Sequence, residues 1–245
     1  MLIAIEGIDG SGKGTQARQL LQRLTDAGQS AALLSFPRYA DTLFGGLIGD
    51  YLNGRLGTLE QVHPLLASLL FAGDRFESLG VLREAHERHD VVILDRYVAS
   101  NIAHQAARIA DFGLPTRRVS ESSRTPSLTR RVNPQSAISD LIEQIEHGVF
   151  GLPRADLTIL LDIPADSASE LIARKKPRDY TDHAADLHEA DTAYLASVRQ
   201  MYLKLAAGRP DWRVIPVVSS GAVRPIAEIG DDIFAACGLA DADGA

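Results

Sequence analysis

At 245 residues and 45% hydrophobic content the chain can bury a proper core, as one large domain or two small ones. A net charge of −7 and a pI near 5.5 argue against a general nucleic-acid binder, which usually shows a basic face, and the single cysteine, Cys237, excludes an intrachain disulfide and fits a reducing compartment. The opening "MLIAIEGIDG" lacks the basic start and long apolar core of a secretion signal, and no apolar run approaches the roughly 18 residues of a membrane span. A cytoplasmic protein with neither membrane nor nucleic-acid partner is expected.

The first element is the apolar run "LIAIEG", which reads as a strand. It leads through "IDGSGKGTQ" into the helical spacing of "KGTQARQLLQRLTDAG", stopped at Gly28. A glycine-rich turn at a helix start presents backbone N–H groups to an anion, so phosphate is the guest that suits it. Gly7, Gly12 and Lys13 satisfy most of the phosphate-loop template: the amides of residues 10–15, including Gly10, Ser11 and Thr15, cradle the phosphates while Lys13 reaches the outer ones. Gly14 stands where the template has Ser or Thr, which leaves magnesium to Thr15, to water or to carboxylates such as Asp9.

Next come the strand-like "SAALLSF" and a long helical stretch, "TLEQVHPLLASLLFAGDRFESLGVLREAHERH", in which Pro64, Gly73 and Gly80 mark a boundary or bends. "DVVILDR" is a continuous apolar run that suits a strand buried on both faces. It ends in Asp95 and Arg96, and in a doubly wound sheet such carboxyl ends lie where ligands gather. Asp95 can bind magnesium through water or orient an acceptor phosphate, and Arg96 offers a planar fork matched to phosphate oxygens. Residues 113–136 carry five arginines, one glutamate and three prolines with no apolar periodicity, and read as an exposed, mobile insertion. "LTILLDI" and "WRVIPVV" are further strands. Between them lies a charge run, Arg174, Lys175, Lys176 and Arg178, in a chain with only four lysines in all. Strands alternating with helices throughout predict an α/β fold in a single domain, 1–245.

Together "IEGIDGSGKGTQ", "SFPRY", "LLFAGDRFE", "DRYVASNIAHQ" and "GLPRADLTILLDI" resemble a thymidylate kinase of the bacterial type, closest to the actinobacterial form. The likeness runs over nearly the whole chain except 113–136 and the tail. It implies a P-loop nucleoside monophosphate kinase fold, with a five-stranded parallel sheet and a lid at about 174–186, usually a homodimer. The implied reaction is magnesium-dependent transfer of the γ-phosphate of ATP to dTMP. The resemblance implies that Phe71 stacks on thymine, Arg75 hydrogen-bonds its carbonyl, and Ser100 and Asn101 complete base recognition. Arg38, Tyr39 and Arg96 surround the monophosphate, Phe36 lines the pocket, and Asp9 sits by the acceptor phosphate and its metal. Arg174 and Arg178 supply lid cations, and Asp186 and Glu189 are lid acids, Glu189 with Asp9 and Thr15 being the metal set. His104 departs from the family, which has a tyrosine near the deoxyribose; it either faces the sugar or lies on the helix surface. Two other readings stay open: a kinase for another pyrimidine nucleotide or a deoxynucleoside, and a nucleotide-binding regulator without turnover.

Overall fold

The computed structural model of the chain describes residues 1–112, 133–174 and 191–238. All five strand-like runs form one parallel sheet: β1 (Leu2–Glu6), β2 (Ala31–Ser35), β3 (Val91–Asp95), β4 (Leu157–Asp162) and β5 (Trp212–Pro216), in the order β2-β3-β1-β4-β5. The central strands β1, β3 and β4 are buried because helices cover both faces, which is why their sequences are continuous apolar runs. At one edge, β5 buries only Trp212 and Ile215 of its five residues. Ile5 pairs with Asp95, so β1 and β3 end in step and the segments that follow them emerge side by side.

The helices are α1 (Lys13–Asp26), α2 (Leu43–Leu52), α3 (Pro64–Glu77), α4 (Leu79–Arg88), α5 (Val98–Phe112), α6 (Pro134–Glu143), α7 (Ala165–Ala173), α8 (Thr192–Ala206) and α9 (Ile226–Cys237). A π-helical turn, Gln144–Val149, continues α6, and a small hairpin joins β6 (Val218–Ser219) to β7 (Ala222–Val223). The main core surrounds the sheet, while Ile48, Tyr51, Leu52 and Ala67 form a smaller cluster between α2 and α3. Helix α5 packs against α3, α6 and α8 and so holds the middle of the molecule. Among the described residues no helix is long and apolar enough to cross a membrane.

The long helical stretch is two helices. Pro64 opens α3, His63 accepts the Leu65 N–H at its Nδ1, and Ser78 separates α3 from α4. Gly73 is not a bend: it lies inside α3, where a Cβ would fall 2.6 Å from the Phe44 ring that packs on it. The end of the expected insertion is also corrected. Asn133 caps α6 by accepting the Gln135 N–H at 3.0 Å, so residues 134–136 are helical and not loop. The rest of that insertion, 113–132, and most of the expected lid, with Lys175, Lys176, Arg178, Asp186 and Glu189, lie outside the described residues.

Candidate active site

Residues 7–12 turn from the end of β1 into the N-terminus of α1, with Gly7, Gly10 and Gly12 at positive φ. At Gly10 (φ 84°) a Cβ would stand 2.5 Å from the Ala168 carbonyl oxygen, so the loop lies directly on the backbone of α7. Lys13 is buried and donates to the Ile8 carbonyl at 2.8 Å, folding its side chain back under the loop. The Ser11 hydroxyl is buried with no hydrogen-bond partner among the described residues, and Thr15 is exposed on the first turn of α1. Gly14 faces Asp95: a Cβ there would sit 2.9 Å from Asp95 Oδ2, so a serine or threonine would require that carboxylate to turn aside.

Asp95 and Arg96 end β3 beside this loop. Arg96 adopts φ 69°, a left-handed conformation that costs a side-chain-bearing residue about 1–3 kcal/mol, and its N–H is held by the Ile5 carbonyl at 3.0 Å. Its guanidinium donates to Asp9 Oδ1 at 2.5 Å and to Ser100 Oγ at 3.1 Å. Beneath it lies Glu6, fully buried at the end of β1. Glu6 accepts from the backbone N–H of Tyr97 and Ser100, from the Ser100 hydroxyl at 2.6 Å and from the Tyr202 hydroxyl at 2.9 Å. Burial pushes the Glu6 carboxyl up from its ordinary value despite these donors. Burial opposes the Arg96 charge, yet Asp9, together with Tyr202, Asp95 and Glu6, more than offsets it and holds the guanidinium protonated. A cleft of about 260 Å³ opens over this assembly, lined by Asp9, Gly10, Gly12, Lys13, Gly14, Asp95 and Arg96.

A second buried ion pair lies between α3 and the π-helical turn. Arg75 Nε and Nη2 donate to the Glu146 carboxylate at 2.5 and 2.7 Å, with both side chains at most 2% exposed. Glu146 also accepts from Asn101 Nδ2 at 2.9 Å. Two of Arg75's donors are therefore committed within the protein, and the expected direct base contact falls to those that remain. On α5 the Asn101 Oδ1 acceptor and the Gln105 Nε2 donor, one turn apart, are buried without partners among the described residues. Phe71 is half-buried and edge-on to Tyr51, with centroids 6.4 Å apart. Phe36 is buried against Tyr97, and Tyr39 packs on the smaller cluster. Asp74 fixes Arg38 through the backbone, accepting its N–H at 3.1 Å and the Thr42 hydroxyl at 2.5 Å, while the Arg38 side chain reaches Asp41 at 3.1 Å. Burial raises the pKa of Asp74.

The structure thus brings together Asp9, Gly7, Gly10, Ser11, Gly12, Lys13, Gly14, Asp95, Arg96 and Ser100, and on α3 and α5 it joins Arg75 to Asn101 through Glu146. Ser100 lies under Arg96 in the Glu6 network. His104 is not a surface histidine: it is buried, and its Nδ1 lies 2.8 Å from the Tyr194 hydroxyl. Arg174 ends α7 exposed, 3.9 Å from Glu170. The residue pattern alone passed over Glu146, Asp74, Gln105 and Tyr202. For Glu146 a signal existed: it continues the stripe Ile138, Ile142 at helical spacing, a carboxylate in an apolar register.

The thymidylate kinase family model matches residues 5–129. The thymidylate kinase of Mycobacterium tuberculosis is 34% identical over 207 residues, covering 84% of this chain and 86% of that protein. A probable thymidylate kinase of Thermococcus onnurineus is 31% identical over 240 residues, 96% of each. Among solved structures, the thymidylate kinase of Candida albicans superposes with a TM-score of 0.68 at 26% identity, over 96% of this chain and 89% of that one. The sheet order, the phosphate loop set beside Asp95 and Arg96, and these relatives agree: the chain belongs to the thymidylate kinase family.

Proposed function

We propose that the chain transfers the γ-phosphate of ATP to dTMP, giving dTDP and ADP, in the cleft between the phosphate loop and Arg96. The observation that carries this reading is that cleft, in which a loop and lysine suited to a donor's phosphates face an arginine and two aspartates suited to an acceptor. The loop amides and Lys13 hold the donor. Arg96, clamped between Asp9 and Ser100, and Arg38 hold the acceptor phosphate in line, so that one of its oxygens attacks the γ-phosphorus as the bond to ADP breaks. Positioning and charge neutralisation supply the catalysis, with no covalent enzyme intermediate. Phe71 and Phe36 offer flat apolar faces to the base. Asn101 Oδ1 and Gln105 Nε2, an acceptor and a donor in succession, match the N–H and carbonyl edge of a pyrimidine.

Magnesium fits the residues present. It is commonly bound by one or two carboxylates together with substrate phosphates, and Asp9 and Asp95 both line the cleft. Asp95 Oδ2 faces the space left by Gly14, and Asp9 and Asp95 would hold the ion, with Thr15 and Glu189 as further candidates. When bound, the ion neutralises charge on the donor phosphates.

We also read 1–245 as one domain whose lid, about 174–186, brings Arg174 and Arg178 over the transferred group. The chain works in the cytoplasm as a homodimer; Leu66, Leu69 and Phe76 expose an apolar face of α3, with Val149 on the neighbouring turn. A coupled assay of ADP release over a panel of nucleoside monophosphates tests the reaction. The highest kcat/KM is expected for dTMP, and ADP release no faster with dTMP than without an acceptor overturns the reading.

A further inference from the structure

We propose that Arg18 is a ligand of the donor's outer phosphates, reaching back along α1 through the gap at Gly14. Four residues after Gly14, Arg18 lies on the same face of the helix, and helical side chains lean toward the N-terminus, the end that binds an anion. The position a Cβ would take at Gly14 is 2.9 Å from Asp95 Oδ2, 3.5 Å from Arg18 Nη1 and 3.9 Å from Arg18 Nη2. A carboxylate and a guanidinium thus converge on one small volume in the wall of the cleft that Lys13, Gly14 and Asp95 line. The phosphate-loop template has a hydroxyl at this point. Here hydrogen replaces it, and the arginine fork approaches the space from outside.

The arginines on the acceptor side are paired with carboxylates: Arg96 with Asp9, Arg75 with Glu146 and Arg38 with Asp41. Arg18 is exposed, so its fork can swing onto phosphate oxygens without breaking packing. Phosphoryl transfer spreads charge over the equatorial oxygens, and an arginine supplied in cis stabilises it.

The proposal rests on the reading of this loop as the ATP site, and the test separates the two. Binding of ATP, ADP and AMP to the full chain is measured by calorimetry with magnesium and with EDTA, beside steady-state kinetics, for wild type, Arg18→Gln and Arg18→Lys. Loss of a charged hydrogen bond predicts ATP affinity in EDTA weakened by roughly tenfold or more in Arg18→Gln, with a comparable fall in kcat. AMP affinity and the KM for dTMP stay within about twofold, and Arg18→Lys recovers part of the loss because charge is kept and the fork is not. Because Arg18 is exposed, the melting temperature is unmoved. If Arg18→Gln binds ATP and turns over within twofold of wild type while Lys13→Ala is inactive, Arg18 is a solvated surface residue and the proposal fails. If Lys13→Ala is also active, the donor-site reading fails with it.

Discussion

The acceptor side and the donor side of the cleft are built differently. On the acceptor side two arginines are locked by carboxylates from far along the chain, Arg75 by Glu146 and Arg96 by Asp9, with Glu6, Ser100 and Tyr202 beneath Arg96, while Arg38 pairs locally with Asp41. On the donor side the anion-binding groups are backbone amides, one lysine resting on the Ile8 carbonyl, and the exposed arginines Arg18 and Arg174. Buried pairs fix a geometry before any ligand arrives, whereas exposed cations take up theirs when the phosphates supply the counter-charge. We therefore assign discrimination among acceptors to the rigid half and closure over ATP to the adaptable one.

The contrast is broken most directly at Arg75. Arg75→Ala leaves the Glu146 carboxylate buried without its cation, which costs about 3–5 kcal/mol of stability. Urea unfolding should show this, together with weakened dTMP binding. A loss below about 1 kcal/mol would mean that the pair is open in solution and the acceptor side is not preorganised.

Lys13→Ala tests the other half. It should lower kcat by roughly 10²-fold or more while the KM for dTMP changes little, since the lysine serves only the donor. A matched loss of dTMP affinity would show that the two halves are not separable.

Gln105→Met sharpens the comparison within the acceptor side. Leaving a base carbonyl without its donor costs about 1–3 kcal/mol of dTMP affinity by calorimetry, with ATP affinity unchanged. Equal weakening of both ligands would remove Gln105 from the base edge.

The smallest effect is a pH dependence at Glu6. Burial raises its pKa above 4.5, so the folded chain holds this proton more tightly than the unfolded chain does. That advantage is complete below pH 4.5 and is lost as pH rises through the folded value. Glu6→Gln cannot ionise and should lose less stability than wild type across the same rise, measured by urea midpoints. Parallel curves would show that Glu6 keeps an ordinary proton affinity in the fold.

What the sequence disclosed follows the same division. The five strands, the phosphate loop and the Asp95–Arg96 pair are local patterns, each readable within about ten residues because apolar runs and glycine turns are short-range signals. The partners that lock the acceptor side lie far away in the chain: Glu146 is 71 residues from Arg75, and Asp9 is 87 from Arg96. No periodicity joins such residues: the stripe Ile138, Ile142 turns Glu146 inward but does not name the cation it meets. His104 shows the limit from the other side: its neighbours in sequence allowed a surface position, and Tyr194, 90 residues on, makes it a buried one.

The seat of the loop on α7 has a consequence for mutational tolerance. With its φ of 84° and the Ala168 carbonyl 2.5 Å from where a Cβ would stand, Gly10 admits no other amino acid without displacing α7. A saturation library scored by growth would rank positions 10 and 13 as equally intolerant. Scored by cellular abundance the two would part: substitutions at Gly10 would deplete folded protein, while substitutions at Lys13 would accumulate as intact, inactive enzyme.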